Sequence, residues 1–381
     1  PYQEASLCAW EHAERRGIIV LPTGSGKTRT ALAAIAGARV ASLCLVPTRV
    51  LLHQWCAEIE RAFGAGAAGC LGDGERRLAP VTVATYESAY RLMARIGNRF
   101  ELLVVDEVHH FGSGARDEAL EMSTAPARLG LTATPPPPGP AADRLAALVG
   151  PVVFHLQIGD LAGRYLADFD RVTLSLGLTE EEGRTYADEA RVFQEAFRRF
   201  MRMAPSATWL DFVRAASRTD EGRRALGAWR ASRRLLGLTT SKAAALAALL
   251  RRHRRSRVLV FTSDNETAYR ISREHLVMPI TCDIKRSERE AALARFRRGE
   301  LGVLVSSQVL NEGLDVPDAD VGIIVGSARG EREYVQRIGR LLRPADGKRA
   351  VVYELVTAST FETRQARCRA RSLGRHAAGG L

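Results

Sequence analysis

The chain has 381 residues, enough for two or three domains, since single hydrophobic cores stop growing near ~250–300 residues. Its 46 % apolar content marks a soluble globular chain, and a formal charge of +12 favours a polyanionic partner. No apolar run approaches the ~18 residues needed to span a bilayer, so no membrane partner is expected. The start, Pro1-Tyr2-Gln3, lacks the basic flank and apolar core of a signal peptide. A cytoplasmic, intracellular setting follows, and the missing initiator Met suits a piece of something longer. The six cysteines, at 8, 44, 56, 70, 282 and 368, form no C-x-x-C pair. That weighs against zinc and fits a reducing compartment, with Cys44 as a buried filler.

Leu7, Trp10 and Ala13 at helical spacing predict a helix over 4–16. Gln3, just before it, is either a surface residue or a reader of an adenine edge. Gly17-Ile18-Ile19-Val20 reads as a buried strand, and Thr30 to Ala38 as a helix. Between them lies Pro22-Thr23-Gly24-Ser25-Gly26-Lys27-Thr28. A glycine-rich turn between strand and helix wraps backbone N–H groups around a phosphate. Lys27 adds charge for the outer phosphates of ATP, and Thr28 a hydroxyl for Mg2+. Val40 to Val46 is a second strand, ended by Pro47-Thr48-Arg49, and Leu51, Leu52, Trp55 and Ile59 line one helix face. Gly64 to Gly74 reads as a flexible connection, and Val81 to Tyr86 as a strand with Thr85 and Tyr86 at its polar end. Leu102 to Val105 is the continuous apolar run of a central parallel strand. It delivers Asp106-Glu107-Val108-His109-His110, with Asp106 placed to hold magnesium and Glu107 to activate water. Leu129 to Thr134 ends a further strand in Thr132-Ala133-Thr134, and Val149 to Leu156 closes the first sheet.

The character then changes. Thr179 to Glu182 carries a capping pattern, and 180–203 and 207–250 read as arginine-rich helices. Phe193, Phe197, Phe200, Trp209, Phe212 and Trp229 interleave with the arginines. They suit either the core of a small helical subdomain or a nucleic-acid-contacting helix pair. From about 245 a second strand series begins, with Thr262-Ser263 and Ser306-Ser307 at strand ends. Asn311 to Pro317 offers a tight turn in which Asp315 can order a cleft or bind a ribose hydroxyl. In Gln336-Arg337-Ile338-Gly339-Arg340-Leu341-Leu342-Arg343 the arginines recur every third residue, and such residues can neutralise a transferred phosphoryl group.

Together these pieces resemble the superfamily 2 helicases and translocases, most closely the XPB-type repair and transcription helicases in their archaeal and bacterial form. The resemblance covers 1–155 and 245–360. It implies an α/β protein with two RecA-like parallel-sheet domains, 1–160 and 245–381, and a linker plus thumb-like helical insertion over 161–244. Gln3 then matches the adenine-reading glutamine, and Thr23 to Thr28 the nucleotide loop. Asp106 and Glu107 match the catalytic carboxylates. His109 with Thr132, Ala133 and Thr134 couples ATP state to domain movement. Gln336 and Arg337 complete the nucleotide cleft, and Arg340 and Arg343 are its arginine fingers. Pro47, Thr48, Arg49, Thr85 and Tyr86 match strand-tracking positions, and Thr262, Ser263, Ser306 and Ser307 occupy similar places in the second domain. The activity implied is ATP-dependent 3′-to-5′ movement on single-stranded or forked DNA, in DNA repair, with a nuclease or repair protein as partner. A duplex translocase that never unwinds, the motor for a nuclease, and an RNA helicase are the alternatives. Relatives carry an Arg-Glu-Asp element after the third motif, used to open DNA. Here that stretch, Pro135 to Arg144, holds only Asp143 and Arg144 as charges, which leaves strand separation open.

Overall fold

The computed structural model describes residues 1–114, 116–136, 138–161, 168–307, 319–326 and 349–372. The first sheet is built from β1 (Arg16–Val20), β2 (Ser42–Val46), β3 (Ala68–Gly72), β4 (Glu75–Arg77), β5 (Val81–Thr85), β6 (Leu102–Val105), β7 (Ala127–Thr132) and β8 (Val152–His155). Its spatial order is β4-β3-β5-β2-β6-β7-β1-β8, and only β4 runs antiparallel, against β3. β2, β5 and β6 are buried along their whole length, so helices cover both faces and the strands read as unbroken apolar runs. Those helices include α1 (Tyr2–His12), α2 (Lys27–Ala38), α3 (Arg49–Phe63) and α4 (Tyr86–Ile96). Trp10, Ile35 and Trp55 fill one face of the sheet, and Tyr86, Met93 and Phe111 the other. Cys44 is wholly buried, and burial pushes its thiol pKa well up.

The segment expected to be a flexible connection instead folds as the β3–β4 hairpin. Asp73 (φ 52°) and Gly74 (φ 88°) form its two-residue turn, with Gly72 opposite Glu75. Asp-Gly supplies the two left-handed residues that a tight hairpin turn needs.

The second sheet is wholly parallel, in the order β11-β12-β10-β13-β14-β9. Its members are β9 (Asp168–Leu176), β10 (Val258–Phe261), β11 (Met278–Ile280), β12 (Val303–Ser306), β13 (Val321–Ile324) and β14 (Arg349–Thr357). β9 pairs with β14 over nine residues, from Asp168 opposite Arg349 to Leu176 opposite Thr357. The sequence reading put these residues in the linker before the helical insertion. The structure makes them the edge strand of the second sheet, so that domain is assembled from two separate stretches of chain.

Between β9 and β10 run α8 (Glu180–Met203), α9 (Trp209–Ala216), α10 (Asp220–Gly237) and α11 (Thr240–Arg252); the short α5 (Glu118–Glu121), α6 (Pro140–Leu148) and α7 (Ile158–Leu161) precede them. The six aromatics expected here pack on one another, for example Phe197 on Phe212 at 5.0 Å and Trp209 on Trp229 at 5.1 Å between ring centroids. Phe212 is 2 % exposed and, with Phe193, Phe197 and Phe200 packed against it, forms the core of the insertion, whereas Trp209 is 43 % exposed at its edge. No helix among the described residues is long and apolar enough to cross a membrane.

Candidate nucleotide site

The nucleotide loop leaves β1 with Leu21 N–H donating to Thr132 O, which ties it to the end of β7. Gly24 (φ 86°) and Gly26 (φ 82°) are left-handed, a conformation glycine adopts without steric cost. Side chains brace the loop: Ser25 Oγ donates to Pro22 O at 2.6 Å, and Ser25 O accepts from Tyr2 and from Gln3 Nε2 at 3.1 Å. Gln3 also reaches Gly26 O at 3.3 Å, and a Cβ on Gly26 would lie 2.7 Å from that amide. Gln3 is thus seated against the loop, its amide on two loop carbonyls. α2 begins at Lys27 with no side-chain cap, so its first N–H groups are open to an anion. Lys27 Nζ rests on Leu21 O at 3.3 Å.

Asp106 follows β6 and is 7 % exposed. Trp55 Nε1 donates to its Oδ2 at 3.1 Å, and the Glu107 N–H to its Oδ1 at 3.0 Å. Burial first, then the charge of Glu107, pushes the Asp106 pKa up to about 6, against the opposing pull of Lys27 and the Trp55 bond. Glu107 is left-handed (φ 49°). Its Oε2 is buried 3.4 Å from His109 Nδ1 and has no hydrogen-bond partner among the described residues. Thr23 Oγ1, in the loop, is in the same condition. Thr23 Oγ1, within the N–H-lined loop, and Glu107 Oε2 fit a bound phosphate with its cation and water, because buried polar groups otherwise find partners.

His109 Nδ1 lies 3.0 Å from Thr132 Oγ1, which itself donates to Thr134 O at 3.0 Å. The threonine's single proton is thereby committed, so His109 Nδ1–H is the donor. Glu107, His109 and Thr132–Thr134, with Ala133 6 % exposed among them, form one chain from β6 to β7.

Trp55 went unrecognised as a site residue, because a tryptophan on the apolar stripe of an amphipathic helix looks like packing alone. Tyr86 was expected at nucleic acid and is not there. It is 2 % exposed, and its hydroxyl donates to the backbone carbonyls of Asp106 and, at 3.1 Å, of Glu107. Its ring stands edge-on to Phe111, centroids 4.7 Å apart. A residue just beyond a strand end can turn inward, and the sequence does not show which way.

The other strand-tracking candidates lie where the parallel strands end. Val46 pairs with Thr85, so Pro47, Thr48 and Arg49 lie beside Thr85. Thr48 caps α3 and Thr85 caps α4, each accepting from an N–H of the first turn. In the second sheet Thr262, Ser306 and Ser307 are buried, and Ser307 Oγ bonds Asn265 Oδ1 at 2.5 Å. The Thr262 and Ser307 hydroxyls bind the rim together, Ser306 Oγ is buried without a hydrogen-bond partner among the described residues, and Ser263 is half-buried beside Asp264. Asp315, Gln336, Arg337, Arg340 and Arg343 lie outside the described residues.

Residues 1–137 match the family model described as Type III restriction enzyme, res subunit, and residues 241–345 match the helicase conserved C-terminal domain. The chain is 38 % identical to a DNA 3'-5' translocase XPB2 of Sulfurisphaera tokodaii, over 97 % of this chain and 83 % of that protein. It is 27 % identical to a DNA 3'-5' helicase XPB of Mycobacterium tuberculosis, over 94 % of this chain but only 60 % of that protein's length. In fold it resembles the helicase domain of Pyrococcus furiosus Hef, with a TM-score of 0.63, 20 % identity and 97 % of each chain covered. A nucleotide loop and paired carboxylates on one RecA-like sheet, a second such sheet, and relatives matched over nearly the whole chain agree: this chain belongs to the XPB-type superfamily 2 DNA helicases and translocases, which are ATP hydrolases.

Proposed function

We propose that the chain is an ATP-driven motor that moves 3′-to-5′ along DNA in a repair pathway. The observation that carries this reading is the orphaned Glu107 Oε2, buried beside Asp106 and linked through His109 to Thr132. A carboxylate oxygen that makes no hydrogen bond, 3.4 Å from His109 Nδ1, is suited to accept one from an attacking water. The N–H groups of Gly24 to Thr28 cradle the phosphates of ATP, and Lys27 offsets their charge. Thr28 and Asp106 would hold Mg2+, which neutralises charge on the phosphate oxygens when bound. Gln3 reads the adenine. Glu107 orients the water and takes its proton, and His109 conveys the change at Glu107 to Thr132 and Thr134.

Arg340 and Arg343 supply positive charge to the transferred phosphoryl group, with Gln336 and Arg337 beside them and Asp315 at the ribose. Arg49, Thr48 and Thr85 on one domain and Ser263 on the other meet the DNA backbone, so binding is salt-dependent and weakly sequence-specific. A repair protein or nuclease is the expected partner. The test is ATP turnover at fixed salt with single-stranded DNA, duplex DNA and RNA. DNA is expected to stimulate, and Arg340→Ala to lose on the order of 10³-fold. Wild-type turnover from Arg340→Ala, or stimulation by RNA in place of DNA, would sink the reading.

One observation favours translocation without unwinding. Arg144, in the stretch where relatives carry their DNA-opening element, is engaged by Glu121 and by Asp117 at 3.6 Å. A forked-duplex unwinding assay beside a triplex-displacement assay separates the two.

A further inference from the structure

Tyr86 stands between two parts of the molecule that ATP hydrolysis alone gives no reason to connect. Thr85, one residue earlier, ends β5 and caps α4. Beside it opens a cavity of about 360 Å³ lined by three arginines, Arg49, Arg76 and Arg91, and three carboxylates, Asp73, Glu75 and Glu87, with Thr85 at its wall. Arg49 is held by Asp73 at 3.1 Å and Arg91 by Glu87 at 2.7 Å. A phosphate entering this cavity therefore exchanges with carboxylates, and one of these, Glu87, belongs to the first turn of α4. On the inner side of the same turn, the Tyr86 hydroxyl holds the carbonyls of Asp106 and Glu107.

Glu107 keeps its left-handed backbone at φ 49°. For a residue with a side chain that conformation carries a steric cost, and in a buried turn it is held by constraints from its surroundings. The Tyr86 hydroxyl is one of those constraints. It has one proton for two carbonyls, so a small shift of the ring along the turn moves the bond from one to the other. Tyr86 is fully packed against Phe111, so the ring moves with α4 and not independently.

We propose that Tyr86 is a positioning residue that transmits occupancy of this cavity by a nucleic-acid phosphate, in exchange for the carboxylates now on its arginines, to the conformation of Glu107. This rests on the reading of Thr48, Arg49 and Thr85 as a rim that meets DNA. Phosphate binding strains the first turn of α4, Tyr86 shifts between the two carbonyls, and the Glu107 carboxylate is turned toward its water. Nucleic acid thereby raises turnover without touching the nucleotide.

Tyr86→Phe keeps the ring and its packing and removes only the hydroxyl. The measurements are kcat and KM for ATP with and without saturating single-stranded oligonucleotide, oligonucleotide affinity by anisotropy, and the thermal midpoint. The ratio of stimulated to unstimulated kcat is expected to fall about tenfold, the scale of one lost hydrogen bond. KM and oligonucleotide affinity stay within about twofold, and the midpoint moves by no more than about 4 °C. Arg91→Gln, at the surface, breaks the same route from outside and is expected to lower the ratio as well. An unchanged ratio in Tyr86→Phe overturns the inference, whether both rates hold or both fall together, since a merely structural role lowers them in proportion. If DNA fails to stimulate the wild-type protein at all, the proposed function falls first and takes this inference with it.

Discussion

Two lysines lie close to carboxylate, Lys27 half-buried and Lys242 fully buried, and the two sites are finished in opposite ways. In the second, Lys242 is fully buried and its Nζ donates to both oxygens of Glu362, at 2.9 and 2.8 Å, and to Leu236 O at 2.7 Å. The Thr357 N–H adds a bond to Glu362 at 2.8 Å, so the pair is closed on itself. In the first, Lys27 rests on a loop carbonyl, Asp106 and Glu107 repel each other, and Glu107 Oε2 and Thr23 Oγ1 lack hydrogen-bond partners among the described residues. Burying a charge is tolerated when its partners are built in, as around Lys242, or when a ligand completes them. The lysine and the carboxylates are of the same kind in both places. Unmet polar atoms alone do not mark a binding site, since Thr357 Oγ1 beside the closed pair is one as well; the unmet carboxylate oxygen of Glu107 is what distinguishes the first site.

The comparison breaks most sharply on Glu107→Gln. If the first site is completed by ligand, removing this charge lowers ATP turnover by about 10²–10⁴-fold, the usual range for a lost general base. Stability is unaffected or gains slightly, because the Asp106 pKa is relieved of the like charge that helps push it up. A variant that turns over like the wild type, or one that unfolds, would make this carboxylate structural as well.

Lys242→Met is the counterpart. It leaves Glu362 buried without its cation, at a cost of about 3–5 kcal/mol. Chemical unfolding should show that loss, with ATP turnover retained wherever the protein remains folded. Lys242→Met/Glu362→Met should recover most of it, short of the orphaned Thr357 N–H, worth about 1–3 kcal/mol. Equal losses in the single and double variants would show that the pair itself contributes nothing beyond packing.

What could be read in advance follows the same division. The strands at Val20, Val46 and Val105 were legible because strands of a two-sided parallel sheet are apolar throughout, and a change to polar residues marks where each rim begins. Lys27, Thr28, Asp106 and Glu107 could be singled out as candidates because a phosphate loop and a carboxylate pair need those residue types at those spacings. β9 was missed because its run, Asp168 to Leu176, mixes charge with apolar residues as an edge strand does, and it stands far in sequence from its partner β14. The β3–β4 hairpin was missed although Asp73-Gly74 carried the turn signal. Trp55 does line the apolar helix face expected of it, but its bond to Asp106, like the inward turn of Tyr86, was not legible for a different reason. Each has an apolar body and one polar atom, and only the fold decides where that atom points. Arg340 and Arg343 were assigned through resemblance and spacing, and lie outside the described residues.

The smallest expected effect tests whether a charge can be closed by partners even near the surface. Glu182 completes a capping box with Thr179 and also accepts from Thr240 N and Oγ1, at 2.8 and 2.9 Å. It thereby ties the start of α8 to the start of α11. Burial alone would raise its pKa, but the Thr240 and Thr179 hydrogen bonds outweigh it and hold the carboxyl below its ordinary value. A carboxyl whose pKa is depressed in the folded state stabilises the fold fully above its unfolded value, near ~4.3, and loses that contribution as pH falls through the lower folded value. In Glu182→Gln one carboxylate oxygen becomes an NH2 that faces N–H donors. The loss at pH 7 is about 1 kcal/mol, the middle of the range for helix caps and limited by solvent screening. The wild-type and Glu182→Gln melting midpoints should therefore differ at pH 7 and pH 5 and converge as pH falls below ~4.3. A constant gap down to low pH would mean that shape, and not charge, holds this joint.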